Sequence, residues 1–238
     1  MTETTAATAA PPVRLPPDPT RRLRQRASAI ALPLGFAGQL VANLGYSWAT
    51  REGGDDLSGA SALELYGREP GLMAFVTVAA LLGCLLIVSG AFAAARVLRP
   101  WSPRLTLLAV LTVVTGYICY FGIVATNFVT IALAQAGVDA ARPLDEAQSM
   151  PAAVPMFVLF LIGNMGGALL LASAVFRSPE VSGWAGAGIL SWFVLHVIGL
   201  VVGSEWFEVA GGALQVAGLA VIARRAIRLT SREWAERG

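Results

Sequence analysis

The residues that could do chemistry are polar side chains set at helical spacing within long apolar stretches. Gln39, Asn43 and Tyr46 follow at i, i+4 and i+7, which places them on one face of a helix. Polar groups in hydrocarbon are costly without partners, so such a face should point into the protein interior. Similar faces carry Tyr117, Tyr120 and Asn127, then Trp192 and His196, and then Glu205, Glu208 and Gln215, while Asn164 stands alone in its stretch.

These polar residues are expected to lie at similar depths in a membrane. Gln39, Tyr117 and Asn164 are each 13 residues from an arginine that flanks their helix. At 1.5 Å per residue this distance is about 20 Å. A second group lies roughly one helical turn further from its arginines and consists of Asn43, Tyr120 and Glu208. The sequence therefore predicts that the polar residues meet in the half of the membrane away from the arginines.

Glu208 is the most informative of these residues. An unpaired carboxylate at the centre of a bilayer costs roughly 2.5–3.5 kcal/mol, so Glu208 should line a wet cavity, be protonated or pair with a donor such as His196. One expectation is a pocket for a small lipophilic or amphipathic ligand. Another is an enzyme acting on a lipid or isoprenoid, with Glu205 or Glu208 as acid and His196 as base.

A competing interpretation assigns the polar residues no site. They would then only hydrogen-bond between helices, and Tyr46, Trp48 and Trp206 would be ordinary interfacial aromatics. For the pocket hypothesis, the expected ligand-contacting residues are Gln39, Asn43, Tyr46, Tyr117, Tyr120, Asn164, His196, Glu208 and Gln215.

Six apolar stretches must position these side chains. The chain is 56% hydrophobic and only 13% charged, against about 25% charged in ordinary soluble domains. Five uncharged stretches exceed the roughly 20 residues that a helix needs to cross a bilayer, and a sixth is shorter. The expected fold is an all-α, polytopic transmembrane bundle. Its spans are predicted at 28–48, 71–95, 105–126, 153–176, 183–203 and 206–223.

The segments outside the bundle are short. Residues 1–26 are interpreted as a disordered cytoplasmic tail, with a cleaved signal peptide as the competing interpretation, and 227–238 as a basic cytoplasmic tail. Between them, 27–226 form the six-helix domain. Residues 57–66 are predicted to form a short interfacial helix, the third span can continue beyond 126, and Pro33 is expected near a helix end.

The arginines predict the topology. All 17 basic residues are arginine, and with six spans 14 of them fall on one side of the membrane and 3 on the other. Positive charge in short loops marks the cytoplasmic side. The sequence therefore predicts a multi-pass protein of a bacterial cytoplasmic (inner) membrane with both termini in the cytoplasm.

Glycines indicate how the helices pack and which partners they could have. Gly163 and Gly167 form one GxxxG pair, and Gly199 and Gly203 form another. Such pairs favour close packing within the bundle. The alternatives are a homodimer, or a non-catalytic subunit that docks another membrane protein through the glycine faces.

No cofactor, metal or nucleic-acid partner is expected. A single histidine excludes a haem held by two histidines of one chain, and one histidine with two glutamates is a thin metal-ligand set. The sequence contains no phosphate-binding glycine loop, HExxH, GxSxG or CxxC motif. The expected partners are the lipid bilayer and a small lipophilic ligand.

Two stretches carry a family resemblance. The first is FVTVAALLGCLLIVSGAFAAARVLRPWSPRLTLLAVL, in which two apolar helices are joined by a short Arg-Pro linker, and the second is FVLFLIGNMGGALLLASAVFRSPEVSGWAGAGIL. Their pattern resembles a widespread bacterial family of integral membrane proteins with six to seven helices and no established activity. The resemblance covers about two thirds of the chain without a sharp motif, so it implies a fold and no functional residue. The EWFEVAGGALQ segment is not part of it.

Overall fold

The structure, a computed structural model, describes residues 18–237 and consists there of helices joined by short turns. Six helical segments are long and apolar enough to cross a membrane. The prediction of an all-α bundle of six spans is confirmed. The helices are α1 (Arg21–Ala49), α2 (Gly59–Arg68), α3 (Pro70–Leu98), α4 (Pro103–Ala125), α5 (Asn127–Gln135), α6 (Ala141–Gln148), α7 (Ala153–Leu161), α8 (Gly167–Phe176), α9 (Gly183–Val202), α10 (Trp206–Arg228) and α11 (Ser231–Glu236), with a π-helical segment, Ile162–Gly166, between α7 and α8.

The spans form a ring in which neighbours in sequence are neighbours in space. The first span, α1, packs against α3 and α10, α3 packs against α4, and α4 packs against α7, the π segment and α8. The ring continues from α8 to α9 and closes from α9 to α10. Because the number of spans is even, both ends of the described chain lie on one face of the bundle.

The two faces of the bundle carry different charges. We call the face with the start of α1, the α3–α4 and α8–α9 turns and the end of α10 the arginine face. The opposite face, with residues 50–69, 136–152 and 203–205, is the acidic face. It is covered by α2, which packs against α5 and α6. The cover is fixed by a Ser58–Ser61 capping box and by Asp145, whose carboxylate accepts a hydrogen bond from the Gly59 backbone N–H.

Several boundaries differ from the sequence predictions. The first helix begins at Arg21, so residues 21–26 belong to α1 and not to the tail. Pro33 therefore lies inside α1, whereas the sequence predicts it near a helix end. Residues 1–17 of the predicted disordered tail lie outside the described residues. At the other end α10 continues to Arg228 and α11 follows, because the buried Trp234 anchors α11 to the bundle. The interfacial helix forms two residues later than predicted, as α2, and the third span continues past a break at Thr126 into α5.

An ion-pair cluster ties the C-terminus to the arginine face. The Arg237 guanidinium donates to both carboxylate oxygens of Glu180 at 2.8 Å, and Arg225 Nε donates to Glu180 Oε2 at 3.0 Å. These two arginines, with the Arg237 hydrogen bonds contributing most, lower the pKa of Glu180 to about 2. Such charge-assisted, bidentate pairing fixes the short α11 segment against the α8–α9 turn.

Glycines allow the closest helix approaches. A Cβ added at Gly90 of α3 would overlap the backbone of Leu32 in α1. A Cβ at Gly116 of α4 would lie 2.5 Å from the Cα of Gly163, and one at Gly167 would lie 2.6 Å from Val113. The Gly163/Gly167 pair therefore already packs against α4 within one chain. Gly203 has a φ of 71° and ends α9 in a left-handed conformation. The predicted homodimer through these glycines stays a prediction.

Candidate functional site

A cavity of about 450 Å³ lies inside the ring, in the half toward the acidic face. Its walls come from all six spans and from the cover formed by residues 50–69. Every residue that the sequence singled out as a candidate lines it: Gln39, Asn43, Tyr46, Tyr117, Tyr120, Asn164, His196, Glu205, Glu208 and Gln215. The structure therefore brings together residues that are up to 176 positions apart (215 minus 39).

Glu208 is the centre of the polar wall. One carboxylate oxygen, Oε1, accepts a hydrogen bond from Asn43 Nδ2 at 2.9 Å, and the other, Oε2, lies 3.0 Å from His196 Nδ1. Because both carboxylate oxygens have a hydrogen-bonding partner, these contacts offset the free-energy cost of placing the carboxylate among apolar helices. Trp192, one turn before His196, stacks on the imidazole with ring centroids 5.0 Å apart. The Trp192 ring and the Glu208 carboxylate together fix the orientation of the imidazole. Its other ring nitrogen, Nε2, can then form a hydrogen bond with a ligand.

A second polar pair lies on the opposite wall. The Tyr117 hydroxyl donates to Asn164 Oδ1 at 2.9 Å, which joins α4 to the π segment. Aromatic rings continue this wall, because Tyr120 stacks on Phe160 at 4.3 Å and Phe36 meets Tyr117 edge to face at 5.5 Å. This side of the cavity offers flat apolar surfaces with a few polar tips.

Two further candidates, Gln39 and Tyr46, connect α1 to neighbouring elements through hydrogen bonds. The Gln39 amide donates to the backbone carbonyl of Ala80 at 2.8 Å and so connects α1 to α3. The Tyr46 hydroxyl donates to Asp56 Oδ1 at 2.9 Å and connects α1 to the cover. The Gln39 amide N–H and the Tyr46 hydroxyl therefore fit the interpretation in which polar residues only hydrogen-bond between helices.

Gln215 and Glu205 differ from these because their side chains form no hydrogen bond within the part of the chain that the structure describes. Gln215 is 5% exposed and lines the deep end of the cavity. Glu205 immediately precedes α10 at the cavity mouth. Desolvation there, followed by the charge of Glu208, raises the pKa of Glu205. An amide and a carboxyl without protein partners are the groups that a ligand or water can address.

The wall between α7 and α9 is incomplete. On the arginine side of the π segment α8 packs against α9, whereas α7 packs against α4 and makes no packed interface with α9 among residues 18–237. No residue of α7 is buried, and Phe157 and Leu200, which line the cavity from α7 and α9, are 53% and 63% exposed. A π-helical segment shifts the register of a span and is often found at functional sites. Here it marks the level at which the fourth span separates from the fifth.

The sequence did not identify every cavity residue as a candidate. Asp56 and Tyr66 reach the cavity from the cover, and Phe36 and Phe160 form part of its apolar wall. Distance arithmetic along a helix could not place Asp56, because it lies in a loop whose path depends on how α2 docks. Apolar aromatics such as Phe160 give no polarity signal that distinguishes a cavity wall from a lipid-facing surface.

A metal site does not emerge from this cluster. In the described part of the chain, no three His, Cys, Asp or Glu side chains are grouped closely enough to hold a metal ion. The arrangement offers an oriented imidazole, a paired carboxylate, unpartnered amide and carboxyl groups and stacked aromatic rings.

No protein-family model, curated protein or solved structure matches the chain. The family resemblance drawn from the two apolar stretches therefore stays a prediction.

Proposed function

We propose that this protein binds a small amphipathic molecule in the cavity between its spans. The observation that carries the proposal is the Asn43–Glu208–His196 chain, which faces a cavity whose remaining wall is largely aromatic and apolar. Pockets for small molecules typically combine a mostly apolar lining with a few fixed polar groups. A ligand with one polar end and an apolar body fits this division.

The polar end of the ligand would address groups that lack protein partners. His196 Nε2 and the Gln215 amide line the cavity from α9 and α10, and either can form a hydrogen bond with a hydroxyl or carbonyl oxygen. The apolar body would lie against the stacked rings of Tyr120 and Phe160. A carbonyl or hydroxyl attached to an apolar ring or chain is the ligand class that this arrangement favours.

The gap between α7 and α9 supports entry from the bilayer. A lipophilic molecule is concentrated in the membrane, and the exposed Phe157 and Leu200 offer it an apolar path into the cavity. A water-soluble ligand would instead have to pass the acidic cover. The gap therefore favours a membrane-dissolved ligand.

The proposal includes an orientation. Of the 16 arginines within residues 18–237, 13 lie on the arginine face, and the positive-inside rule places that face in the cytoplasm. The cavity then lies in the outer half of the cytoplasmic membrane of a bacterium.

The test is the identity of molecules that co-purify with the protein. Wild type and Glu208→Gln would be purified in mild detergent, extracted with organic solvent and analysed by mass spectrometry. We expect one small amphipathic species in the wild type and about tenfold less in Glu208→Gln, which corresponds to roughly 1.4 kcal/mol. Glu64→Gln is the matched control, since Glu64 is an exposed acid on α2 with no place in the cavity. Recovery of the same amount of this species from Glu208→Gln and from Glu64→Gln would contradict the proposal.

The same imidazole–carboxylate pair favours a second candidate function, acid–base catalysis on a lipid or isoprenoid. A carboxylate that holds Nδ1 orients the imidazole and strengthens Nε2 as a base, so Glu208 would act through His196. This role differs from the sequence hypothesis, in which Glu208 or Glu205 itself is the acid. Incubation of membranes with the co-purified species distinguishes the two functions: an enzyme converts it and His196→Ala abolishes conversion, whereas a binding protein returns it unchanged.

A further inference from the structure

A second groove lies at the other end of the bundle, on the arginine face. It has a volume of about 720 Å³ and is formed by the start of α1, the end of α3 and the short helix α11. We propose that this groove binds an anionic phospholipid, with the headgroup phosphate at Arg21, Arg24 and Arg96 and an acyl chain along Leu86 and Phe92. The proposal is independent of the cavity in the other half of the protein.

The charges of the groove are unbalanced. Arg24 pairs with Asp18, the acidic residue that lines the groove. Arg21 and Arg96 have no carboxylate partner within residues 18–237, and their guanidinium groups donate to the backbone carbonyls of Ser231 and Trp234. A guanidinium offers five N–H donors, so each of these arginines retains donors for a phosphate.

Arg96 is held in place for such a contact. Its guanidinium lies 4.6 Å above the centroid of the Trp234 ring, which fixes the side chain at the groove wall. The positive charges of Arg24, Arg99 and Arg21 also act on Arg96. An anion among these arginines would relieve their repulsion and form charge-assisted hydrogen bonds.

The shape of the groove favours a lipid over a soluble anion. From Arg96 the groove follows α3 back to Leu86, which is about 15 Å along the helix. Phe92 lies on this path and is 63% exposed, on a helix that crosses the membrane. A free phosphate would use only the arginine end, whereas a phospholipid would use both parts. Basic pockets between spans on the cytoplasmic side are suited to anionic headgroups.

The experiment uses the full chain in nanodiscs made from equal amounts of phosphatidylglycerol and phosphatidylethanolamine. Native mass spectrometry then reports which lipid stays bound when the disc is removed. We expect preferential retention of phosphatidylglycerol by the wild type, and about a tenfold loss of that preference in Arg21→Gln/Arg96→Gln. Arg104→Gln, an exposed arginine on the same face outside the groove, should behave as wild type. Wild-type preference in the double variant would overturn the proposal.

Two further arms keep the result interpretable. Arg24→Gln alone removes a groove arginine that pairs with Asp18 and leaves the contacts of Arg21 and Arg96 with α11 intact, so its loss of preference cannot be attributed to displacement of α11. Ser89→Trp fills the exposed apolar part of the groove while all three arginines remain. It should lower phosphatidylglycerol retention as strongly as the arginine changes. Unaltered retention in Ser89→Trp, or displacement of the lipid by millimolar inorganic phosphate, would show an ion site and overturn the lipid assignment.

Discussion

The two halves of this bundle are built on different principles. Toward the arginine face, small and branched residues of α3, α8 and α10 are fully buried; they include Ala93, Val97, Leu98, Ala172, Val175, Leu219, Ile222 and Ala226. Toward the acidic face, the same six spans enclose a cavity, and the fourth span stands apart from the fifth. The interior of one half is closely packed, and the interior of the other contains a cavity with polar walls.

This difference suggests that the half toward the arginine face supplies most of the stability and the half toward the acidic face supplies the candidate site. Helix packing in a membrane depends on close contact between small residues, and the arginine half supplies it. A bundle held at that end can leave the opposite end unfilled, since the polar residues of the cavity wall there are paired or face the cavity. Open structure at a functional site is commonly supported by rigid structure elsewhere.

The largest effect is expected from filling a close contact in the packed half. A side chain at Gly90 would overlap the backbone of Leu32, and two helices would have to separate to accept it. Gly90→Leu should cost about 3 kcal/mol or more and leave little folded protein. Gly212→Ala in the cavity wall is the comparison, because its Cβ would approach the end of the Leu40 side chain at 3.2 Å and meet Trp192 only at an ordinary contact distance of 3.9 Å. Thermal unfolding in detergent should find Gly212→Ala within about 1 kcal/mol of wild type; similar losses in both variants would remove the distinction between the halves.

A smaller effect is expected from acid at the Glu180 cluster. The pKa of Glu180 is lowered to about 2 in the folded protein, from an ordinary value of 4.5. The stabilisation is therefore present above pH 4.5 and is lost as the pH falls toward 2. Because the cluster lies near solvent, its contribution is about 1–2 kcal/mol.

The measurement is the unfolding temperature of the wild type and Glu180→Gln as a function of pH. The variant should be less stable at neutral pH, and the two curves should converge in acid. Glu64→Gln serves as the control, since Glu64 forms an exposed pair with Arg68 one helical turn away. A constant gap between wild type and Glu180→Gln down to pH 2 would show that the cluster does not act through ionised Glu180.

The smallest effect is expected at the cavity wall. Tyr117→Phe removes the hydroxyl that donates to Asn164 while it keeps the ring contact with Phe36. Hydrogen bonds between membrane helices contribute about 0.6 kcal/mol on average, so the loss of stability should be of that size. The double variant Tyr117→Phe/Asn164→Leu should cost less than the sum of the two single changes. Additive costs would indicate that the pair does not interact.

The sequence predicted the spans because charge and hydropathy are local properties of the chain. It also predicted that Gln39, Tyr117, Asn164 and Glu208 would meet, because depth in a membrane follows from the number of residues to a flanking arginine. The structure brings these residues to one cavity.

Other features needed three-dimensional information. Pairing with His196 is one of three alternatives that the sequence leaves open for Glu208, and the rotation of α9 against α10, which spacing along one helix does not determine, brings the two side chains together. The gap beside α7 begins at the π segment Ile162–Gly166, an irregular turn that contains no proline or charged residue to mark it in the sequence. The docking of α11 depends on Trp234 and Arg237, which in sequence resemble an ordinary basic tail.

The central claim is that polar side chains from several spans surround a cavity within the membrane-spanning part of the bundle, with a mouth beside Glu205 on the acidic face. The most direct measurement is labelling of Gln215→Cys by a charged, membrane-impermeant thiol reagent, in a chain carrying Cys84→Ala and Cys119→Ala. Its control is Leu214→Cys, the adjacent residue at the same depth, which is 49% exposed on the outside of the bundle. Our account predicts that Gln215→Cys is labelled from the acidic face and Leu214→Cys is not. Labelling of Leu214→Cys alone, or of neither thiol, would contradict it.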